Sequence, residues 1–199
     1  MTPPAPGELR VFLRHGECVG NVDRLLVAPT DSPLTPRGWD QARAAAASLS
    51  AVSFSWILTS PMLRARQTAQ AVAEVQPAAT VEVVAALRER GFGELDAWPV
   101  DRVKASRWSS CRAGWNQASP GGETLAAVAY RAIAALDVRK GRGPTLVVAH
   151  AGVIRAVVGL LDGQPKVRIG RMRVPQAQPW HRTVEGDRWG QLLRTVRPV

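Results

Sequence analysis

Short apolar runs alternate along this chain with longer segments of helical period, and that alternation restricts the fold more than any other feature. Leu9 to Arg14 reads as a buried strand. A turn follows, then a helix beginning near Thr35, which caps it with Pro36 in the first helical position. "SWILTS" (55–60) reads as a second strand and "PMLRARQTAQAVAEV" (61–75) as a helix with Pro61 near its start. "TVEVV" (80–84) is a third strand, and residues 88–121, rich in Gly, Trp and Arg, form the longest irregular stretch. In "GETLAAVAYRAIAALD" (122–137) the apolar positions 125, 128, 129, 132, 133 and 136 keep the helical period. "PTLVVAH" (144–150) is the next strand and "GVIRAVVGLL" (152–161) the helix after it. In the tail, Trp180 to Val184 and Trp189 to Thr195 flank "EGD" and predict a terminal hairpin.

Alternation of this kind predicts an α/β fold, with a mostly parallel central sheet flanked by helices on both faces. At 199 residues and 46% apolar content, the chain suffices for one well-buried domain spanning 1–199, and neither an internal repeat nor a dividing linker interrupts it.

Composition excludes several classes. No stretch approaches the ~18 consecutive apolar residues of a membrane span, and "MTPPAPGELRV" lacks the basic start and apolar core of a signal peptide, so a cytoplasmic protein without a membrane partner is expected. Cys18 and Cys111 cannot make a disulfide framework and read as free thiols. No Cys/His spacing suggests zinc and no carboxylate cluster suggests magnesium, so neither metal nor cofactor is expected. The net charge of +10 comes largely from 23 Arg among 26 basic residues, spread along the chain with no basic block. That distribution suits attraction of small anions better than a nucleic-acid footprint, and much of it reads equally well as solvated surface.

Open α/β sheets bind ligands at the carboxyl ends of their strands, which sorts the polar residues. Arg14 and His15 close the first strand, Ser60 and Arg64 follow the second, Glu89 follows the third, and His150 closes the last core strand. In "LRHGECVGN" (13–21), burial and the neighbouring arginine both disfavour a charged imidazole. His15 is therefore expected to be neutral, with a free nitrogen lone pair. Four strand ends bring two histidines, two arginines and a carboxylate to one rim. A phosphomonoester asks for such a set: a neutral nucleophile is not repelled by the dianion, cations balance the oxygens as charge moves, and a carboxylic acid protonates the leaving oxygen. Arginine's planar fork serves the oxygens better than lysine does.

These stretches together resemble the histidine phosphatase superfamily, also called phosphoglycerate mutase-like. The matching motifs are "RHGE" with Asn21, "DSPLTPRG" (31–38), "TSPMLRARQTA" (59–69), "LRERGFGEL" (87–95), "PGGET" (120–124) and "VVAHAGVIRAV" (147–157), in order between residues 9 and 158. The resemblance implies His15 as the nucleophile that becomes phosphohistidine. Arg14, Arg64 and Asn21 are implied as phosphate ligands, His150 as the second histidine on the same oxygens, and Glu89 as the general acid. Glu94 and Glu17 are rival carboxylates, with Glu89 favoured because it follows "AAL" beyond the third strand. His181 reads as structural, Arg66 as surface, and Trp98, Trp108 and Trp115 as either pocket lining or packing.

This chain departs from the family pattern at Cys18 (usually Ser or Thr), Ala28 (often Gly), Ala151 (usually Gly, which permits close backbone approach) and Leu95-Asp96-Ala97 (commonly Trp-Glu-Gly). The expected function is a metal-independent phosphomonoesterase acting on small phosphorylated metabolites, with an α-ribazole phosphatase or a phosphoglycerate mutase as alternatives. A binding module of another class, holding phosphate or phosphoprotein without turnover, would need the arginines but neither the nucleophile nor the acid. The natural substrate and the oligomeric state are not readable from the sequence.

Overall fold

A computed structural model describes residues 7–27 and 31–196; Ala28 lies outside the described residues. The elements in chain order are β1 (Glu8–Arg14), α1 (Val19–Val22), α2 (Pro36–Ser48), β2 (Trp56–Thr59), α3 (Leu63–Ala73), β3 (Thr80–Val83), α4 (Val100–Lys104), α5 (Leu125–Asp137), β4 (Thr145–Ala149), α6 (Ala151–Leu161), α7 (Lys166–Ile169), β5 (Pro179–Val184) and α8 (Arg188–Thr195).

The sheet runs β3-β2-β4-β1-β5. β1, β2, β3 and β4 are parallel, and β5 is added antiparallel to β1. Successive strand side chains point to opposite faces, and each face is covered by its own helices. Val11, Leu13, Ile57, Leu146 and Val148 pack with the apolar side of α2 and α3. Phe12, Leu58, Val147 and Ala149 pack with α5, α6 and α8. β4, covered on both faces, is buried at all five positions. The α/β class and the parallel sheet flanked on both faces are thus observed.

Local chemistry explains the helix starts. The Thr35 hydroxyl accepts a hydrogen bond from Gly38 N–H at 3.0 Å, with Pro36 opening α2 as expected. Thr124 does the same for α5 through Ala127 N–H.

The terminal hairpin is not formed. Residues 179–184 pair with β1, Val11 opposite His181, while 188–195 form the helix α8. Trp189, Leu192, Leu193 and Val196 recur at helical spacing and pack into the core beside α5, which a strand with alternating faces cannot do. The irregular stretch 88–121 contains α4 and two short 3-10 turns, gathered round a small cluster of Phe92, Leu95 and Val103 with Leu26, Val27, Trp98 and Trp108 against it.

Candidate active site

A cavity of about 240 Å³ opens at the carboxyl ends of β1 and β4. Arg14, His15, Asn21, Arg64 and Glu89 line it, so five of the six candidates meet in one place. The sixth, His150, is fully buried behind His15, with ring centroids 5.1 Å apart, and does not itself line the cavity.

His15 follows β1, and its backbone N–H continues the ladder to Ala149 O at 3.1 Å. Its ring Nδ1 lies 2.7 Å from Gly16 O, an acceptor only, so Nδ1 carries the proton and Nε2 the lone pair. Burial, then the charges of Arg14 and Arg64, hold the His15 pKa well below the usual imidazole value. His150 is pushed down in the same way, by burial first and then by His15, Arg64 and Arg14. Both rings are therefore neutral at pH 7, as the sequence predicts for His15. Ser60 Oγ, 2.7 Å from His150 Nε2, fixes the second ring, and His150 Nδ1 is buried with no hydrogen-bond partner among the described residues.

The cationic donors are held by long-range contacts. Arg14 Nη1 donates to Val174 O at 2.8 Å, while its buried Nε has no hydrogen-bond partner among the described residues. Arg64, 2% exposed on α3, is fixed in part by Met62 Sδ, 3.3 Å from Nη2. Thr68, one turn further on, accepts from Gly16 N–H at 3.1 Å and donates to Arg64 O at 2.8 Å, tying α3 to the loop after β1. Asn21 Oδ1 accepts from Cys18 N–H at 3.2 Å and from Gln176 Nε2 at 2.8 Å. Its oxygen is thus committed, leaving the Nδ2 donor for the cavity. The "DSPLTPRG" segment braces this loop closely: a Cβ on Gly38 would stand 1.9 Å from Glu17 O.

Glu89 is clamped by backbone amides. Its Oε1 accepts from Arg90 N–H at 2.8 Å and from Gly152 N–H at 3.1 Å; the Gly152 contact to Oε2 is 3.3 Å. The close approach expected at residue 151 falls one place later. A Cβ on Gly152 would meet Glu89 Oε1 at 2.4 Å, whereas Ala151 places its side chain on the cavity wall. The segment carrying Glu89 is fastened by Glu123 of "PGGET", which receives Arg88, Arg131 and the Gly91 N–H. Burial works to raise the Glu123 pKa, but the hydrogen bonds from Arg131 and Arg88 outweigh it and hold the group at about 2.

Several candidates fall away. Glu94 is exposed and Glu17 is bound to Thr35 Oγ1, and neither lines the cavity. His181 is exposed on β5, and Arg66 is exposed. Trp98 and Trp108 pack in the 88–121 lobe under Arg102 and Arg107, and Trp115 packs in the main core, so none lines the cavity. Cys18 and Cys111 are free and buried. Three contributors were missed: Arg155 on the cavity wall, Gln176 that orients Asn21, and Glu123 beneath Glu89. Arg155 left a signal as a lone charge within the apolar run "GVIRAVVGLL", and Glu123 stood within "PGGET", whereas Gln176 left none. Among the described residues no group of three or more His, Cys, Asp or Glu is placed to hold a metal, and no helix is long and apolar enough to cross a membrane.

A neutral imidazole, guanidinium and amide donors and a carboxyl group thus surround one cavity. The chain belongs to the histidine phosphatase superfamily (branch 1), whose sequence pattern matches residues 11–195. It is 31% identical to a 2,3-bisphosphoglycerate-dependent phosphoglycerate mutase of Methylobacterium radiotolerans, over 86% of this chain and 87% of that protein. It is 32% identical to the adenosylcobalamin/alpha-ribazole phosphatase of Escherichia coli, over 83% and 84% respectively. Among solved structures it is similar to a mycobacterial glucosyl-3-phosphoglycerate phosphatase, with a TM-score of 0.78 and 26% identity over 88% of this chain and 89% of that one.

Proposed function

We propose that the protein hydrolyses small phosphomonoesters through a phosphohistidine at His15. The carrying observation is the hydrogen bond from His15 Nδ1 to Gly16 O, which leaves an unprotonated Nε2 beside the arginines. Nε2 attacks phosphorus, the N–P bond forms, and the P–O bond to the alcohol breaks. The Arg14 Nε edge, Arg64 and Asn21 Nδ2 hold the equatorial oxygens, where negative charge is spread through the transition state. His150, its ring packed against His15, backs the nucleophile rather than lining the cavity. Glu89 is the carboxyl that lines the cavity and serves as general acid to the departing oxygen; its Oε2 makes only the longer Gly152 contact. In the second half, the Glu89 carboxylate takes a proton from water, water oxygen bonds to phosphorus, and the N–P bond breaks.

Hydrolysis is favoured over isomerisation by the length of the segment after the acid. A mutase must shield its bisphosphorylated intermediate from water and hold its second anionic group; only 30 residues separate Glu89 from Pro120, and Arg90, Arg102, Arg107 and Arg112 within them are the counter-evidence. The test supplies purified protein with a panel of phosphorylated metabolites, and separately with 3-phosphoglycerate and a trace of 2,3-bisphosphoglycerate. Phosphate release abolished by His15→Ala supports the reading. Formation of 2-phosphoglycerate that greatly outruns phosphate release makes the protein a mutase, and phosphate bound without turnover makes it a binding module.

A further inference from the structure

Between α7 and β5 the chain crosses the carboxyl end of β1 as a short strap. Val174 is buried in the core beside α5 and α6, whereas Ala177 packs against the core beside α2 and α3, so Pro175 and Gln176 pass from one face of the sheet to the other. Ala177 has a φ of 51°, a left-handed conformation that a residue other than glycine keeps only where its surroundings hold it there. Its N–H donates to Arg14 O at 2.9 Å, and Val174 O receives Arg14 Nη1 at 2.8 Å. The strap is thus fastened to the end of β1 on either side of Gln176.

From this strap the Gln176 amide reaches Asn21, with Nε2 donating to Oδ1 at 2.8 Å. Asn21 needs such a partner. It sits on α1, a helix of 4 residues, and a single helical turn depends on tertiary contacts to stay formed. An asparagine amide also presents two opposite edges: Nδ2 donates to a phosphoryl oxygen, while Oδ1 can only accept and repels it. Cys18 N–H, which can only donate, lies 3.2 Å from Oδ1, and Gln176 supplies the shorter of the two bonds to that oxygen. Together they commit Oδ1 and leave Nδ2 for the cavity that Asn21 lines.

We propose that Gln176 is a positioning residue for phosphoryl binding: it holds the Asn21 amide with its donor edge toward the phosphoryl oxygens, and it acts on affinity only through Asn21. The proposal rests on the phosphoryl-transfer reading for the part Asn21 plays, and adds the residue that sets the direction of its amide. Gln176→Leu keeps the backbone anchors of the strap on Arg14 but leaves Oδ1 with only the longer Cys18 contact. Gln176→Glu sets a carboxylate against Oδ1, two acceptors facing each other. The pair is satisfied only if the Asn21 amide turns, and turning it gives up the Cys18 bond and points Oδ1 at the phosphoryl group.

Tungstate, a tetrahedral oxyanion that is not turned over, tests the role without catalysis. Calorimetry measures its Kd for the unmodified protein, Gln176→Leu, Asn21→Ala and the double variant. Gln176→Leu is expected to weaken binding about threefold or more, the loss of one neutral hydrogen bond, and to weaken it less than about twofold when made in Asn21→Ala. A general loosening of the strap would instead disturb Arg14 through Val174 O, and its cost would persist without Asn21. If the leucine variant melts early, Gln176→Glu replaces it, with an expected loss of about tenfold or more that shrinks at least about threefold in Asn21→Ala. Smaller losses, losses that persist in Asn21→Ala, or an unmodified protein that binds no tungstate overturn the role. The phosphatase reading fails separately, when tungstate binds but no ester releases phosphate.

Discussion

Gly152 and Glu89 are in a contact that only glycine permits: the Gly152 N–H reaches both carboxyl oxygens, at 3.1 and 3.3 Å, and a Cβ on Gly152 would stand 2.4 Å from Oε1. The first turn of α6 therefore positions the proposed acid. Gly152→Ala is expected to displace Glu89 while leaving the fold intact, since alanine favours a helix by ~1 kcal/mol over glycine. Activity on alkyl phosphates should fall ~10²-fold or more with little change in melting temperature. Unchanged kcat/KM would show that Glu89 has no need of this seat.

The leaving group should decide how much Glu89 matters. Glu89→Gln is expected to slow alkyl phosphates by ~10²–10⁴-fold and p-nitrophenyl phosphate far less, because nitrophenolate departs without protonation. Steady-state rates on the two esters give the comparison. Equal losses, or a larger effect from Glu94→Gln, would assign the acid elsewhere.

The two buried histidines make stability sensitive to mild acid. Their folded pKa values lie well below the ordinary value, chiefly through burial. Between the folded and unfolded pKa the unfolded chain binds more protons, so stability rises with pH. As pH falls below about 6.5, each histidine should withdraw up to ~1.4 kcal/mol per pH unit until its folded pKa is reached. Chemical denaturation between pH 7.5 and 5 should show this slope, and His15→Asn should make it shallower. A flat profile above pH 5 would mean that neither ring is held neutral by the fold.

Much of this was legible in the sequence, for identifiable reasons. Strands β2 and β4, and Val11 to Leu13 of β1, read as apolar runs because both faces are covered, and α5 shows its period because one side faces the sheet. Arg14, His15, Arg64 and Glu89 were found because a parallel sheet gathers strand ends at one edge. The tail misled because the five residues from Trp180 to Val184 do form a strand, and the "EGD" turn invited a second; the spacing of Trp189, Leu192, Leu193 and Val196 was the better guide. The single-turn helices α1, α4 and α7 carry too few residues for a period to show, since such short helices depend on tertiary packing. Gln176 was invisible because its partner Asn21 lies 155 residues away in sequence. Glu123 was read as part of a motif but its task beneath Glu89 depends on Arg88 and Arg131, which only the fold brings together.

The phosphohistidine itself is the most direct measure of the account. The protein is mixed with a ³²P-labelled phosphoester, quenched rapidly in alkaline denaturant and digested for peptide mapping. Label that is stable in base, labile in acid and located on the peptide containing His15, forming at least as fast as phosphate is released, is the predicted result. Phosphate release at the normal rate with no label on that peptide, or undiminished release by His15→Ala, would contradict it.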